Sequence, residues 1–167
     1  MCGILVLKAN HLTREIKRKF QYALEDLKNR GPDELRIFQN KNLLAGFTRL
    51  SINDIKTASQ PFKSLCGKYI IVFNGEIVNY KTLASSLRQK DIKMKYGHEA
   101  EVIINLYIKH KENCVDSLRG FFAFVIIENK TNNIFAAVDR FGIKPLYYYE
   151  NKRENLFIIT SDYSTLM

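Results

Sequence analysis

The sequence predicts an α+β domain built from two mainly antiparallel sheets, and three observations carry that prediction. Strand-like runs dominate both ends of the chain, helical periodicity is confined to one early segment and two in the middle, and several strand-like runs are apolar on both faces. A run without alternation needs cover on each side. Two sheets packed between helical layers, a four-layer α-β-β-α sandwich, supply that cover. A chain of 167 residues fits one domain with a core of its own, so residues 1–167 are read as a single unit.

Gly3–Lys8 is a short apolar run suited to a buried strand. From Thr13 onward, Ile16, Phe20, Ala23, Leu24 and Leu27 recur at helical spacing, with Thr13 placed as the cap. Asn29-Arg30-Gly31-Pro32-Asp33 breaks that helix. Extended segments at 35–39 and 43–52 precede a polar loop reaching to about Ser64. Residues 68–73, β-branched and aromatic, form a strand that runs straight into Asn74-Gly75. A second helix begins near Asn79, with Tyr80, Leu83 and Leu87 on one face. A third covers 99–111, with Val102, Ile103, Leu106 and Tyr107 on its inner side. Strands at 121–128, 133–138, 146–150 and 156–160 complete the chain, and Asn132-Asn133 and Asn151-Lys152 supply turn chemistry between them.

Bulk properties exclude several classes of function. The net charge of +9 comes mainly from lysines scattered along the chain, with no Arg-rich stripe or RNA-binding motif, so a solvated basic surface is favoured over a nucleic-acid partner. No apolar run is long enough to span a bilayer, so no membrane partner is expected. MCGILVLKAN lacks both a basic leader region and a small-residue cleavage site, which leaves the cytoplasm as the default location. Cys2, Cys66 and Cys114 are odd in number and widely spaced, and His11, His98 and His110 add no metal-ligand spacing. Free thiols are expected, with no metal and no cofactor; Cys66 and Cys114 read as buried small hydrophobes.

Cys2 is the first residue that suggests chemistry. Removal of Met1 would leave a cysteine bearing both a thiol and a free α-amine. An amine with a pKa of about 7.7–8.0 is partly neutral near pH 7, so it can take the thiol proton and return it to a leaving amine. Asn74-Gly75-Glu76 is the second. A carboxamide NH2 and a glycine N–H at the end of a rigid strand are donors suited to a tetrahedral oxyanion. The same Asn-Gly pair is also the strongest short-range hairpin signal, and that reading stays open.

Taken in order along nearly the whole chain, MCGI at 1–4, RGPD at 30–33, RLSI at 49–52, QP at 60–61, NGEIVNY at 74–80, EVI at 101–103, LRGFFAF at 118–124 and DRFGIKPLYY at 139–148 resemble the class II glutamine amidotransferase domain. This is the N-terminal-nucleophile glutaminase of glutamine-dependent asparagine synthetases; RGPD and DRFGIKPLYY are less like the hexosamine and purine branches. The resemblance implies the four-layer fold and hydrolysis of L-glutamine through a γ-glutamyl thioester on Cys2. It implies that Asn74 and Gly75 form the oxyanion hole. Arg49 would hold the substrate α-carboxylate, which a planar fork suits better than an ammonium. Glu76 would accept from the substrate α-ammonium or amide, and backbone around Ile52 would complete the cradle. Arg30 and Asp33 would order a loop beside Cys2.

Some positions depart from the family pattern. Glu99 stands where the family has an Asp that binds the α-ammonium, adding a methylene in a tight pocket. Phe47 replaces a common His, and Asp162 a common Glu. The resemblance also implies an ATP-dependent synthetase domain or subunit as the ammonia acceptor, and no Ser-Gly-Gly phosphate loop of such a domain occurs in these residues. The alternative reading is a catalytically weak or inactive glutamine-binding or docking module of a split synthetase.

Overall fold

The computed structural model describes residues 1–50 and 59–166. Chain order gives β1 (Gly3–Lys8), α1 (Arg14–Asp26), β2 (Glu34–Gln39), β3 (Leu43–Arg49), β4 (Phe62–Lys63), β5 (Tyr69–Ile77), α2 (Tyr80–Arg88), α3 (Glu99–His110), β6 (Gly120–Glu128), β7 (Ile134–Val138), β8 (Tyr147–Asn151) and β9 (Leu156–Thr160). The first sheet has the order β2-β3-β1-β9-β8 and the second β4-β5-β6-β7. Every pairing within both sheets is antiparallel.

Alternation along each strand sorts side chains between layers. In β1, Leu5 and Leu7 face α1 and join Phe20, Leu24 and Leu27. Ile4 and Val6 point the other way, into the space between the sheets, where they meet Ala45 and Phe47 of β3 and Val72 and Val125 of the second sheet. On that sheet's far side, Ile71 and Phe73 of β5 and Phe122 and Phe124 of β6 pack against Ala84 and Leu87 of α2 and Val102, Ile103 and Leu106 of α3. The layers are therefore α1, first sheet, second sheet, then α2 with α3. Each fully buried Leu, Ile or Phe contributes about 1.5–3 kcal/mol of transfer free energy, so three separate apolar seams hold the stack.

The helices start where their caps are. Thr13 accepts from the Ile16 N–H at 3.2 Å, as the spacing predicts. His98 caps α3 instead, its Nδ1 accepting from the Glu101 N–H at 3.2 Å. Asn79 makes no capping bond; its carboxamide donates to the Ser117 carbonyl and accepts from the Arg119 N–H, tying the start of α2 to the entry of β6.

The structure differs from the sequence expectations in four places. Of the segment expected at 43–52, Leu43–Arg49 is a strand, Leu50 is outside it, and residues 51–52, with Ile52, lie outside the described residues. The loop expected to reach Ser64 contains β4, a two-residue edge strand too short to read from periodicity. Asn74-Gly75 is no hairpin turn: β5 continues through both residues to Ile77, paired with β6 along its whole length. Cys66 is exposed rather than buried, because it falls in the turn between β4 and β5, where Sγ lies 3.3 Å from the Ser64 hydroxyl. Cys114 is buried as expected.

Candidate active site

Two strands from different sheets bring the site together. Cys2 immediately precedes β1 in the first sheet, and Asn74 and Gly75 lie in β5 of the second. The Cys2 N–H donates to Asn74 Oδ1 at 3.2 Å, joining the sheets at the mouth of the inter-sheet seam. Just behind it, the buried Thr48 hydroxyl accepts from the Gly3 N–H at 3.1 Å and donates to the Leu27 carbonyl at 3.0 Å. The start of the chain is thus held from both sides.

A cavity of about 190 Å³ opens here, below the ~300 Å³ at which drug-sized sites begin. Its lining includes Cys2, Arg49, Asn74, Gly75, Glu76 and Glu99, so every described residue given a catalytic or substrate-binding role from the sequence converges on one space, while Arg30 and Asp33 lie outside it. Ile52 falls outside the described residues. Lys144, His98, Gln60 and Phe121 also line the cavity, and no role was assigned to them from sequence. Lys144 and Gln60 lay inside quoted segments, IKP and QP, so the signal was present without a role attached.

Asn74 is 3% exposed, and its Nδ2 has no hydrogen-bond partner while Oδ1 is engaged by Cys2. A buried donor left without an acceptor costs about 1–3 kcal/mol, which a cavity-bound acceptor would recover. Gly75 has φ +146°, and a Cβ there would collide with the Phe121 carbonyl of the paired strand. Two pairs further along, opposite Ile77, Gly120 has φ +149° and the same restriction against the Glu76 carbonyl. Two glycines therefore let β5 and β6 stay paired through a stretch where any side chain would push them apart. Gln60 fastens the strand just before this point, Nε2 donating to the Phe73 carbonyl at 3.0 Å and Oε1 accepting its N–H at 2.6 Å.

Arg49 is 7% exposed and ion-paired with Glu34 at 3.8 Å, so its guanidinium is held rather than free in solvent. Glu99, at the first position of α3, accepts the Ile77 N–H at 2.5 Å. The extra methylene relative to the family Asp is thus taken up by a contact to the end of β5. Glu101, two residues further and 1% exposed, accepts the N–H groups of Lys95, Tyr96 and Gly97, each at 2.7 Å, and so fixes the loop that delivers His98 and Glu99 to the cavity. Arg30 pairs with Asp162 at 3.6 Å, and Asp33 donates its N–H to the Arg49 carbonyl at 2.9 Å, an ordering arrangement for this loop.

Electrostatics at Cys2 are opposed. Burial pushes the Cys2 thiol above its ordinary range, while a backbone hydrogen bond with Leu50 and, after it, the chain's terminal ammonium, Arg49 and Lys144 pull it down. The net upward push makes the thiol give up its proton less readily, and a nearby proton acceptor would offset that. In the chain numbered from Met1, the terminal amine belongs to Met1, which is 52% exposed, and the Cys2 nitrogen is a peptide nitrogen.

A four-layer sandwich with a cysteine at the head of an inner strand, facing Asn74 and Gly75 across the two sheets, is the arrangement of an N-terminal-nucleophile type of amidotransferase domain. The comparisons agree. The whole chain, residues 1–167, matches the glutamine amidotransferase domain family, and the protein belongs to that family. It is 35% identical over 161 residues to glutamine-hydrolyzing asparagine synthetase 3 of Bacillus subtilis (strain 168), covering 94% of this chain and 26% of that protein. Against glutamine-hydrolyzing asparagine synthetase of Asparagus officinalis it is 36% identical over 148 residues, 88% of this chain and 25% of the relative. The chain thus spans about a quarter of the length of these relatives. Among solved structures, glutamine phosphoribosylpyrophosphate amidotransferase from B. subtilis superposes with a TM-score of 0.77 at 20% identity, over 99% of this chain and 43% of that one, a likeness of fold. No helix among the described residues is long and apolar enough to cross a membrane.

Proposed function

We propose that this domain hydrolyses the side-chain amide of L-glutamine through a thioester on Cys2 and passes ammonia to an ATP-dependent synthetase domain or subunit. Loss of Met1 would expose an α-amine on Cys2 itself. That amine takes the thiol proton, sulfur attacks the amide carbon, and the oxyanion is received by Asn74 Nδ2 and the Gly75 N–H. Collapse of the adduct breaks the C–N bond as the amine returns its proton, releasing ammonia. Water then attacks the thioester and releases glutamate and the thiol. Arg49 would receive the substrate α-carboxylate, Glu76 and Glu99 its α-ammonium, with backbone near Ile52 closing the cradle. The reaction needs no metal or cofactor, and the cytoplasm is its natural setting.

The observation that carries this reading is the buried, partnerless Nδ2 of Asn74 beside the Cys2 thiol in an amino-acid-sized cavity. Protein lacking Met1 is expected to release glutamate from glutamine and to gain the mass of a diazo-ketone glutamine analogue at Cys2 in intact mass spectrometry. Absence of both, relative to Cys2→Ala, would refute it. One observation favours a second reading, a binding module with little turnover: the Glu99 carboxylate is already engaged by the Ile77 N–H. That reading wins if glutamine raises Tm while ammonia release stays at background.

A further inference from the structure

The loop between β7 and β8 crosses from the second sheet to the first and brings Lys144 to the cavity. One buried side chain sets its shape. Asp139, 3% exposed, accepts from the Phe141 and Ile143 N–H groups through Oδ1 at 3.0 and 3.2 Å. Its Oδ2 accepts from Lys144 and Phe122, both at 3.1 Å. Burial raises the Asp139 carboxyl, and these backbone donors outweigh that effect and hold it below the ordinary carboxylate range. The same oxygen thus fixes the Lys144 backbone relative to Phe122, the residue paired with Gly75 in the oxyanion strand.

The side chain of Lys144 is half-buried, its Nζ 5.2 Å from the centre of the Phe121 ring. It takes part in none of the ion pairs among the described residues. An ammonium held over an aromatic face, with no carboxylate partner among the described residues, can act on groups across the cavity. Facing the Cys2 thiol are the terminal ammonium and, from β3, Arg49; Glu76 of β5 and His98 and Glu99 at the start of α3 line the same space. Arg49 shares its charge with Glu34, whereas the Lys144 side chain forms no ion pair with a carboxylate among the described residues.

We propose that Lys144, fixed by Asp139, is a positioning residue that stabilises the Cys2 thiolate through its charge, and so sets the pH range over which the nucleophile is available. It transfers no proton and forms no bond; it acts on the sulfur through space, in a cavity where solvent screening is incomplete. The inference rests on Cys2 being the nucleophile of the proposed reaction, yet its first test concerns only the reactivity of that thiol.

In a Cys66→Ser background, which removes the exposed competing thiol, the rate of Cys2 alkylation by iodoacetamide is followed against pH by site-resolved mass spectrometry. Lys144→Met keeps most of the chain length and loses the charge, whereas Lys144→Arg keeps the charge. Loss of the cation raises the thiol pKa, so the midpoint for Lys144→Met should move up by about 0.5–1 pH unit, lowering the rate at pH 7 roughly 3- to 10-fold. Lys144→Arg should restore most of it. Equal midpoints in all three proteins, with Tm preserved, overturn the proposal. If Lys144→Met unfolds, the Lys144→Gln profile decides in the same way. In glutamine turnover, a raised KM with an unmoved pH profile would assign Lys144 to substrate binding and likewise overturn it. Absence of turnover in the parent protein, with the alkylation shift intact, would sink the glutaminase reading and leave this one standing.

Discussion

At Asn74 one side chain serves two strands. Its oxygen accepts the Cys2 N–H while its nitrogen stays free within the cavity. Asn74→Ala should therefore lower kcat for glutamine by about 10²–10³-fold, the usual loss for one oxyanion donor, with a smaller change in KM. Glutamate release under saturating glutamine measures it; an unchanged kcat would remove Asn74 from the mechanism. Sequence reading reached this residue by type, because an Asn-Gly pair after an apolar strand suits either an oxyanion hole or a turn. It could not choose between them, since the choice depends on β6, whose Gly120 makes room for the strand to continue and lies far along the chain. Glu99 shows the same limit. Its extra methylene was visible in the sequence, but the Ile77 N–H it engages was not. Local chemistry is legible one residue at a time; the partner across a sheet is not.

Among the elements, α3 shows how a helix start is built into a site. His98 caps it, Glu99 opens it, and Glu101 gathers three N–H groups of the preceding loop. Glu101→Gln replaces one acceptor oxygen with a donor facing N–H groups, and is expected to cost about 1–3 kcal/mol of stability. The slackened loop should also raise KM for glutamine, because it carries Glu99. Urea denaturation and steady-state kinetics read the two effects separately, and a stable variant with unchanged KM would refute the link. Periodicity located α1, the third helix and the β9 strand closely, because each has several apolar positions in register. It missed β4, which has two residues and no period to detect. It also misplaced Cys66, because a small thiol next to Leu65 reads as apolar, while the turn that exposes both depends on the pairing of β4 with β5.

For the molecule as a whole, the layers separate stability from chemistry. Leu24 is fully buried between α1 and the first sheet, against Gly46, on the side of that sheet away from the cavity. Leu24→Ala should cost about 2–5 kcal/mol in thermal or urea unfolding and leave KM of the folded protein unchanged. A variant that loses glutamine affinity while staying folded would show the layers to be coupled. Strands apolar on both faces demanded cover on each side, which a four-layer order satisfies, but periodicity alone reached only α+β and the layer order came with the family resemblance. The two sheet orders did not follow, because which strand lies beside which is decided by long-range pairing rather than by composition.

A carboxamide is a flat, stiff plate whose two ends cannot be aimed separately. Because the head of one sheet grips the oxygen of Asn74, the direction of its nitrogen is set by where the chain begins. The molecule thus carries its own alignment gauge: a start displaced by the width of a methyl group would tilt the plate, and the Cys2 sulfur and the Asn74 nitrogen would drift out of true together.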